Sequence, residues 1–273
     1  MNKSLSFVIS IFAAMVMLLS GCGKGGEADG KDKAALASDG VAAIKARGTL
    51  KVGVKVDIPK FGYKDPKTSE ITGFEIDIAR AIAKKITGDP AKVDLQAVTA
   101  KTRGPLLDNG EIDLVIATFT INEERKQTYN FSEPYFVDAV GLLVKKSAGI
   151  AGLKDLNGKN IGVAQSATSK QAIQKEADAL GVKVSFLEFG TYPEIKAALE
   201  AGRVDVFSVD GSILQGYLDE TTTILPDRFS PQSYGIASKK SNEALASLVN
   251  TTIAEMKTSG ELDKLVEKWG LQK

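Results

Sequence analysis

Apolar positions recur along most of the chain with the spacings of alternating strands and helices. In residues 73–86 they return every three or four positions, which places them on one face of a helix that Gly88 ends. That face is formed by Ile78, Ala79, Ile82, Ala83 and Ile86. Residues 112–118 are almost all apolar, which is typical of a parallel strand covered on both faces. This order predicts an α/β fold with right-handed crossovers.

The same alternation continues through the rest of the chain. Further strands are predicted over residues 50–55, 93–98, 140–145, 161–164, 182–189 and 234–238. Further helices are predicted over residues 102–108, 168–180, 193–201, 244–256 and 262–269. The strands over 140–145 and 234–238 are predicted to connect two lobes, and Trp269 is predicted to be a packing anchor.

One segment is repeated. The residues from Leu107 to Thr118 match those from Leu199 to Asp210 in the order leucine, glycine, aspartate and apolar strand. The two copies predict two lobes of similar plan. Because ligands bind outside the carboxyl ends of strands in open α/β sheets, Thr118 and Asp210 are candidates for a cleft between the lobes.

The N-terminus has the pattern of a targeting segment. A basic start and an apolar run over residues 5–19 indicate a secretory signal, because a membrane span needs roughly 20 apolar residues. The small residues before Cys22 resemble a bacterial lipobox, which implies cleavage before Cys22 and lipidation of its thiol. The alternative is a plain signal peptide with an incidental cysteine. Residues 22–46, rich in glycine, lysine and aspartate, predict a flexible tether.

Composition excludes several classes of function. The 273 residues include no histidine and one cysteine, which excludes Ser–His–Asp and Cys–His catalytic units and an internal disulfide. With 35 basic and 34 acidic side chains, the net charge of +1 argues against a protein that binds nucleic acid. No glycine-rich phosphate-binding motif is present, and no cofactor or metal is predicted.

The richest candidate site follows the apolar strand over residues 112–118. Thr118 and Thr120 supply hydroxyls there, and Asn122 can cap a helix whose first turn holds Arg125. Hydroxyls, main-chain N–H groups and a guanidinium together suit a carboxylate, to which arginine offers two parallel hydrogen bonds.

Four motifs carry a resemblance to a known family. GFEIDI at residues 73–78, DLVIATFTINEERK at 113–126, YNFSEPY at 129–135 and IGVAQS at 161–166 resemble the polar amino-acid family of solute-binding proteins that feed ATP-driven importers. The likeness covers residues 50–269, and residues 100–110 and 231–236 resemble most closely the aspartate/glutamate-binding members.

The resemblance implies a two-lobed periplasmic-binding-protein-like α/β fold that closes on one amino acid. Each lobe is expected to hold a mostly parallel sheet flanked by helices, and two hinge strands are expected to join the lobes. After a signal peptide over residues 1–21 and the tether over 22–46, lobe 1 is expected to comprise residues 47–143 and 236–273. Lobe 2 is expected to comprise residues 144–235.

The resemblance also implies roles for individual residues. Arg125 is expected to clamp the α-carboxylate of the ligand, assisted by Thr120 from one lobe and Thr168 from the other. Asp210 is expected to accept from the ammonium group, beside Thr118. The remaining candidates are Phe74, for the hydrocarbon of the ligand or simply for the core, and Tyr192, for its hydroxyl.

Two cations point to the class of ligand. Lys55 stands where members that bind basic or neutral amino acids often carry aspartate, and Arg103 begins a helix after the strand over 93–98. Because a buried carboxylate needs a partner, these cations predict an acidic ligand, aspartate or glutamate. Glutamine or cysteine is the alternative if Lys55 is a solvated rim lysine or Arg103 forms a structural ion pair.

The resulting prediction is a monomeric extracytoplasmic lipoprotein without enzymatic activity. It would capture an acidic amino acid by lobe closure and deliver it to the membrane permease of an ABC importer. A small carboxylic-acid lyase with Glu188 as general acid is an alternative, and an additional role as sensor or adhesin is another.

Overall fold

A computed structural model describes residues 40–271. The predicted signal peptide, Cys22 and most of the predicted tether lie outside the described residues. Within residues 40–271 the strands are β1 Leu50–Val54, β2 Asp57–Ile58, β3 Gly62–Lys64, β4 Ile71–Thr72, β5 Val93–Ala97, β6 Leu114–Ile116, β7 Tyr129–Phe131, β8 Phe136–Lys145, β9 Lys159–Ala164, β10 Val184–Phe189, β11 Val206–Asp210, β12 Thr222–Ile224, β13 Phe229–Tyr234 and β14 Ala237–Lys239. The α-helices are α1 Gly40–Arg47, α2 Phe74–Thr87, α3 Arg103–Asn109, α4 Glu123–Thr128, α5 Ser169–Leu180, α6 Tyr192–Glu200, α7 Gly211–Gln215, α8 Glu243–Thr258 and α9 Glu261–Lys268.

The strands form one main sheet in each lobe. The first has the order β5-β1-β6-β14-β7, and the second has the order β10-β9-β11-β8-β12 with β13 on β8. In each lobe three adjacent strands are parallel, β5-β1-β6 and β10-β9-β11. The pairings of β8 and β14 are antiparallel, so the sheets are more mixed than the expected mostly parallel ones. The reason is that β8 and β14 each enter their sheet directly from the other lobe, without a crossover helix.

The chain crosses between the lobes in two places, between β7 and β8 and between β13 and β14. The single strand predicted over residues 234–238 is wrong, because β13 ends at Tyr234 on β8 and β14 begins at Ala237 on β6 and β7. Gly235 lies in the gap, where a Cβ atom would approach Cδ1 of Ile121 to 2.7 Å. The second crossing therefore passes through a position that leaves no room for a side chain.

The helices bury the faces that their sequences predict. The apolar face of α2 is fully covered, and the helix ends at Gly88 in the left-handed conformation with φ 84°. The indole Nε1 of Trp269 donates to Asp77 Oδ2 at 2.8 Å while the side chain packs on the main core, as a packing anchor does. No helix between Gly40 and Leu271 is long and apolar enough to cross a membrane.

The folded chain begins earlier than the sequence pattern indicates. The tether was predicted to reach residue 46, but Gly40–Arg47 form α1 and Ile44 is buried in the core. Val41 packs against the same core, so apolar side chains of this short helix attach it to the first lobe.

The repeated segment has the same local structure in both lobes. Gly110 and Gly202 each follow a helix with φ 77° and 71°. Three residues later, Asp113 Oδ2 accepts from the N–H of Lys51 at 2.8 Å, and Asp205 Oδ2 accepts from the N–H of Asn160 at 2.8 Å. Each aspartate thus joins its turn to the neighbouring parallel strand, and the matched strands β6 and β11 lead to Thr118 and Asp210.

Candidate ligand-binding cleft

The two lobes contact each other at two edges of the region between them, which we call the cleft. At one edge Arg125 Nη2 donates to the carbonyl of Ser166 at 3.2 Å. At the other edge the hydroxyl of Tyr217 donates to the carbonyl of Asp57 at 2.5 Å. One of the predicted site residues, Arg125, makes the first of these contacts.

Gln232 joins two of the predicted carboxylate-binding threonines. Its Oε1 accepts from the hydroxyl of Thr120 at 2.8 Å and from the hydroxyl of Thr168 at 2.7 Å. The Gln232 side chain is buried, and it comes from β13 beside the second crossing. Because Thr120 and Thr168 belong to different lobes, this one amide links both halves of the cleft. No role for Gln232 was predicted, although it lies in the segment 231–236 that carried part of the family resemblance.

Arg125 is held as its motif predicts. Asn122 Oδ1 accepts from the N–H of Arg125 at 2.8 Å and so caps α4. The guanidinium donates through Nη1 to the carbonyl of Thr120 at 2.8 Å and lies 4.5 Å from the ring centre of Phe119. Burial, and then the charge of Arg103, lower the pKa of Arg125 to about 9, so it remains cationic at neutral pH.

Arg103 braces the end of β6. It is 4% exposed, and its Nη1 donates to the carbonyls of Ala117 at 2.6 Å and Thr118 at 3.2 Å. Its guanidinium lies 4.1 Å from the centre of the Phe119 ring, which therefore separates the two arginines. Two main-chain carbonyls therefore accept from one nitrogen of this guanidinium. Its Nε is buried without a hydrogen-bond partner among the described residues. The carbonyls taken by Arg103 also explain why β6 stops at Ile116, before the predicted end at 118.

Thr118 is held in a left-handed conformation by a buried glutamate. Its φ is 45°, which is strained for a β-branched residue. Oε1 of Glu75, in the first turn of α2, accepts from the N–H of Thr118 at 2.6 Å and from the hydroxyl of Tyr135 at 2.5 Å. Burial raises the pKa of Glu75 to about 6, although these two hydrogen bonds act to lower it.

Glu75 is a functional candidate that the sequence could have shown. It stands four residues before Ala79 and so on the apolar face of α2, where a charged side chain needs a partner. The hydroxyl of Thr118 and Oε2 of Glu75 are buried without hydrogen-bond partners among residues 40–271. Unpartnered buried polar atoms are uncommon in proteins and are typical of a place where a polar ligand binds.

Asp210 ends β11 inside the cleft, as the repeat predicts. Its Oδ2 accepts from the hydroxyl of Tyr234 at 2.5 Å, and both side chains are buried. Burial, and then the charge of Asp138, raise the pKa of Asp210 to about 7, while the Tyr234 hydrogen bond and the arginines lower it. A carboxylate in this state is suited to an incoming ammonium group, which would favour its ionised form.

Lys55 differs from the prediction of a cation free to bind a ligand carboxylate. Its Nζ lies 3.0 Å from Oδ1 of Asp57 and 4.7 Å from the centre of the Tyr192 ring, and the side chain is 2% exposed. It is therefore neither a solvated rim lysine nor a free charge. Asp57 was not predicted as its partner, although it stands only two residues away, because the turn between β1 and β2 was not recognised.

The remaining candidates lie in three different environments. Phe74 is fully buried against Phe61, Phe136 and Tyr135, and its contact with a ligand stays a prediction. Tyr192 is buried beside Lys55 at the start of α6, so it faces the cleft. Glu188 is exposed on β10 and pairs with Lys170 at 2.7 Å, so the proposed general acid of a lyase lies outside the cleft.

Comparisons with known proteins agree with this architecture. The chain is 41% identical over 265 residues to the ABC transporter glutamine-binding protein GlnH of Bacillus subtilis, covering 96% of this chain and 94% of the relative. It is 30% identical to the glutamate/aspartate import solute-binding protein of Salmonella typhimurium, covering 94% and 86%. An ancestral arginine-binding protein bound to glutamine has a TM-score of 0.73 and 40% identity, covering 82% of this chain and 98% of that chain.

The comparisons change one expectation and support another. The predicted special likeness to aspartate/glutamate-binding members is not supported, since identity to the glutamine-binding relative is 41% and to the glutamate/aspartate relative 30%. The family itself is shown, because its model, described as bacterial extracellular solute-binding proteins, family 3, matches residues 50–272. This chain belongs to family 3 of the bacterial extracellular solute-binding proteins.

Proposed function

We propose that this protein captures glutamine between its lobes and delivers it to the membrane permease of an ABC importer. Arg125 would bind the α-carboxylate with Thr120 and Thr168, and Asp210 would bind the ammonium group. Glutamine, named as the alternative ligand above, replaces the acidic amino acid as the preferred one. The observation that carries this choice is the pairing of Lys55 with Asp57 at 3.0 Å.

The cations and the acidic side chains described above for the cleft are equal in number, and Asp138 is close enough to influence Asp210 as well. Lys55, Arg103 and Arg125 supply three positive charges, and Asp57, Glu75 and Asp210 can supply three negative ones. A neutral zwitterion such as glutamine preserves this balance, whereas an acidic ligand adds a carboxylate for which Lys55 is no longer free. Because desolvating an unpaired charge is costly, the cleft favours an uncharged polar side chain.

An amide also matches the unpartnered polar atoms. The buried Nε of Arg103 and hydroxyl of Thr118 can donate to an amide oxygen, and Oε2 of Glu75 can accept from an amide N–H. A site built to hydrogen-bond a polar group discriminates strongly against ligands that lack it. Similarity to the glutamine-binding protein of B. subtilis supports the same ligand.

Calorimetric titration tests this proposal directly. The purified protein is titrated at neutral pH with glutamine, glutamate, aspartate, arginine and cystine, and glutamine is expected to bind most tightly. Tighter binding of glutamate or aspartate would return the assignment to an acidic ligand. Arg125→Met serves as the control, because loss of its heat signal shows that binding takes place in the cleft.

We also propose an extracytoplasmic location, with lipidation of Cys22 as the membrane attachment. The support is membership of an extracellular family together with the lipobox-like residues before Cys22. A stable anchor needs more than one acyl chain, and each CH₂ group buried in the membrane contributes ~0.8 kcal/mol to binding. Labelled palmitate should enter the full-length protein but not its Cys22→Ser variant, and an unlabelled wild type would contradict the proposal.

A further inference from the structure

Asp57 neutralises the buried cation nearest to Tyr192. It begins β2, two residues after Lys55, and its carboxylate oxygens lie 3.0 and 3.4 Å from Lys55 Nζ. Among residues 40–271 it is the only acidic side chain within 4.0 Å of that nitrogen. Burial lowers the pKa of Lys55, and the charge and hydrogen bond of Asp57 oppose this by stabilising the ammonium form.

The same residue stands at the contact between the lobes. Its carbonyl accepts from the hydroxyl of Tyr217, and its side chain is 14% exposed. Lys55 interacts electrostatically with Arg103 and Glu75 as well as with Asp57, so the pair faces the same interior as the other charged groups of the cleft. A change of charge at residue 57 would therefore alter the electrostatic potential at the place where the side chain of a ligand would lie.

We propose that Asp57 is a specificity-determining residue, which excludes acidic amino acids by occupying Lys55. This inference rests on the proposed function, because it explains why the cleft takes a neutral ligand despite its cations. Without the Asp57 carboxylate, Lys55 keeps the face of Tyr192 and its weaker electrostatic interaction with Glu75, and an anionic side chain of the ligand takes the vacated place. The pair formed by Lys55 and Asp57 would thus determine whether the cleft accepts a neutral or an acidic amino acid.

The decisive variant is Asp57→Asn, which keeps the shape of the side chain and the main-chain carbonyl used by Tyr217. Dissociation constants for glutamine and glutamate are measured by calorimetry at neutral pH. The ratio of the glutamate constant to the glutamine constant is expected to fall by about tenfold or more, because glutamate gains a charged partner. Asp94→Asn removes the same charge from an exposed position on β5 and should leave the ratio unchanged.

A second variant keeps the test decisive if Asp57→Asn does not fold. Lys55→Met leaves the Asp57 carboxylate unpaired, so the affinity for arginine relative to glutamine should rise while glutamate becomes a still weaker ligand. An unchanged ratio in a folded Asp57→Asn protein, or an unchanged arginine preference in Lys55→Met, would overturn the inference. A wild type that prefers glutamate would instead overturn the proposed function, so the two failures are distinguishable.

Discussion

The hydroxyl of Tyr234 donates to Oδ2 of Asp210 at 2.5 Å, and this pair links the hinge strand β13 to the end of β11. Tyr234 is fully buried and stacks on Phe136 with ring centres 5.9 Å apart. The carboxylate that should bind the ammonium group is thus oriented by the strand that leads into the crossing. One hydrogen bond therefore couples the carboxylate proposed to bind the ammonium group to the strand that leads into the second crossing.

The affinity for glutamine should rise with pH because of Asp210. Its folded pKa is about 7, above the ordinary value of 3.8, so the folded protein binds more protons than the unfolded chain between these values. The free energy of unfolding contributed by Asp210 therefore falls as pH rises through this window. Ligand ammonium prefers the ionised carboxylate, so affinity should increase roughly tenfold from pH 6 to pH 8.

Calorimetry in two buffers of different ionisation enthalpy measures both the affinity and the proton released on binding. Asp138 raises the Asp210 pKa, whereas Arg103 and Arg125 lower it. Asp210→Asn should bind weakly and should keep only the smaller pH dependence contributed by Glu75, whose pKa is about 6. An affinity in the wild type that is flat, or that falls with pH, is incompatible with this role.

Tyr234→Phe should weaken binding at pH 7 and much less at pH 8.5. The hydroxyl favours the ionised form of Asp210, so its removal raises the carboxyl pKa further. Titrating the variant at both pH values separates this effect from lost packing, because packing loss does not recover at high pH. Equal weakening at both values would show that Tyr234 acts only through packing.

Arg125→Lys should lower the affinity for glutamine by on the order of 100-fold, because lysine cannot offer two parallel hydrogen bonds to a carboxylate. The variant also loses the contact with the Ser166 carbonyl across the cleft. Arg80→Lys is the matched control, since Arg80 is an exposed arginine of α2 with only a 3.8 Å ion pair to Asp77. If the two variants bind alike, Arg125 is not the carboxylate clamp.

Glu75→Ala should destabilise the protein by about 2–4 kcal/mol in urea unfolding, because it leaves the Thr118 N–H and the Tyr135 hydroxyl buried without an acceptor. Glu75→Gln keeps an acceptor oxygen and should cost less. Its amide nitrogen lies in the cleft in place of Oε2, so glutamine affinity should fall even where stability does not. If the alanine and glutamine variants are equally stable, Glu75 does not stabilise the protein by accepting these two hydrogen bonds.

Asp113→Ala and Asp205→Ala should each destabilise the protein by about 1–2 kcal/mol while leaving the affinity for glutamine unchanged. Each removes the carboxylate that accepts a main-chain N–H from the adjacent strand. Since the two sites lie in different lobes, the effects should add within about 0.5 kcal/mol in the double variant. Strong coupling between them would show that the two turns interact and are not independent sites.

The fold was largely predictable because its signals are local. The four-residue spacing of isoleucines located α2, and the glycine and aspartate of the repeat located the turns before β6 and β11. Asn122 and Arg125 were predicted together because a helix cap depends on residues three apart. Each of these features depends only on residues of one helix or strand and of the turn next to it.

The partners of the cleft residues were not predictable in the same way. The hydroxyl that holds Asp210 comes from Tyr234, which is 24 residues away, and the acceptor for the Thr118 N–H comes from Glu75, which is 43 residues away. Lys55 was misjudged because a charge can be counted in a sequence, whereas its neutralisation by Asp57 depends on the turn between them. The prediction of an acidic ligand depended on this step, and the proposal of glutamine departs from it here.

The paired aspartates of the repeat have a mechanical consequence. Asp113 and Asp205 each fasten a turn to its own sheet, so a motion of one lobe against the other would deform the chain chiefly at the two crossings. Under the proposed function, the lifetime of a captured molecule would then depend on the few hydrogen bonds between the lobes and on Gln232. A change in the interior of either sheet would alter the stability of the protein without altering how long it retains its cargo.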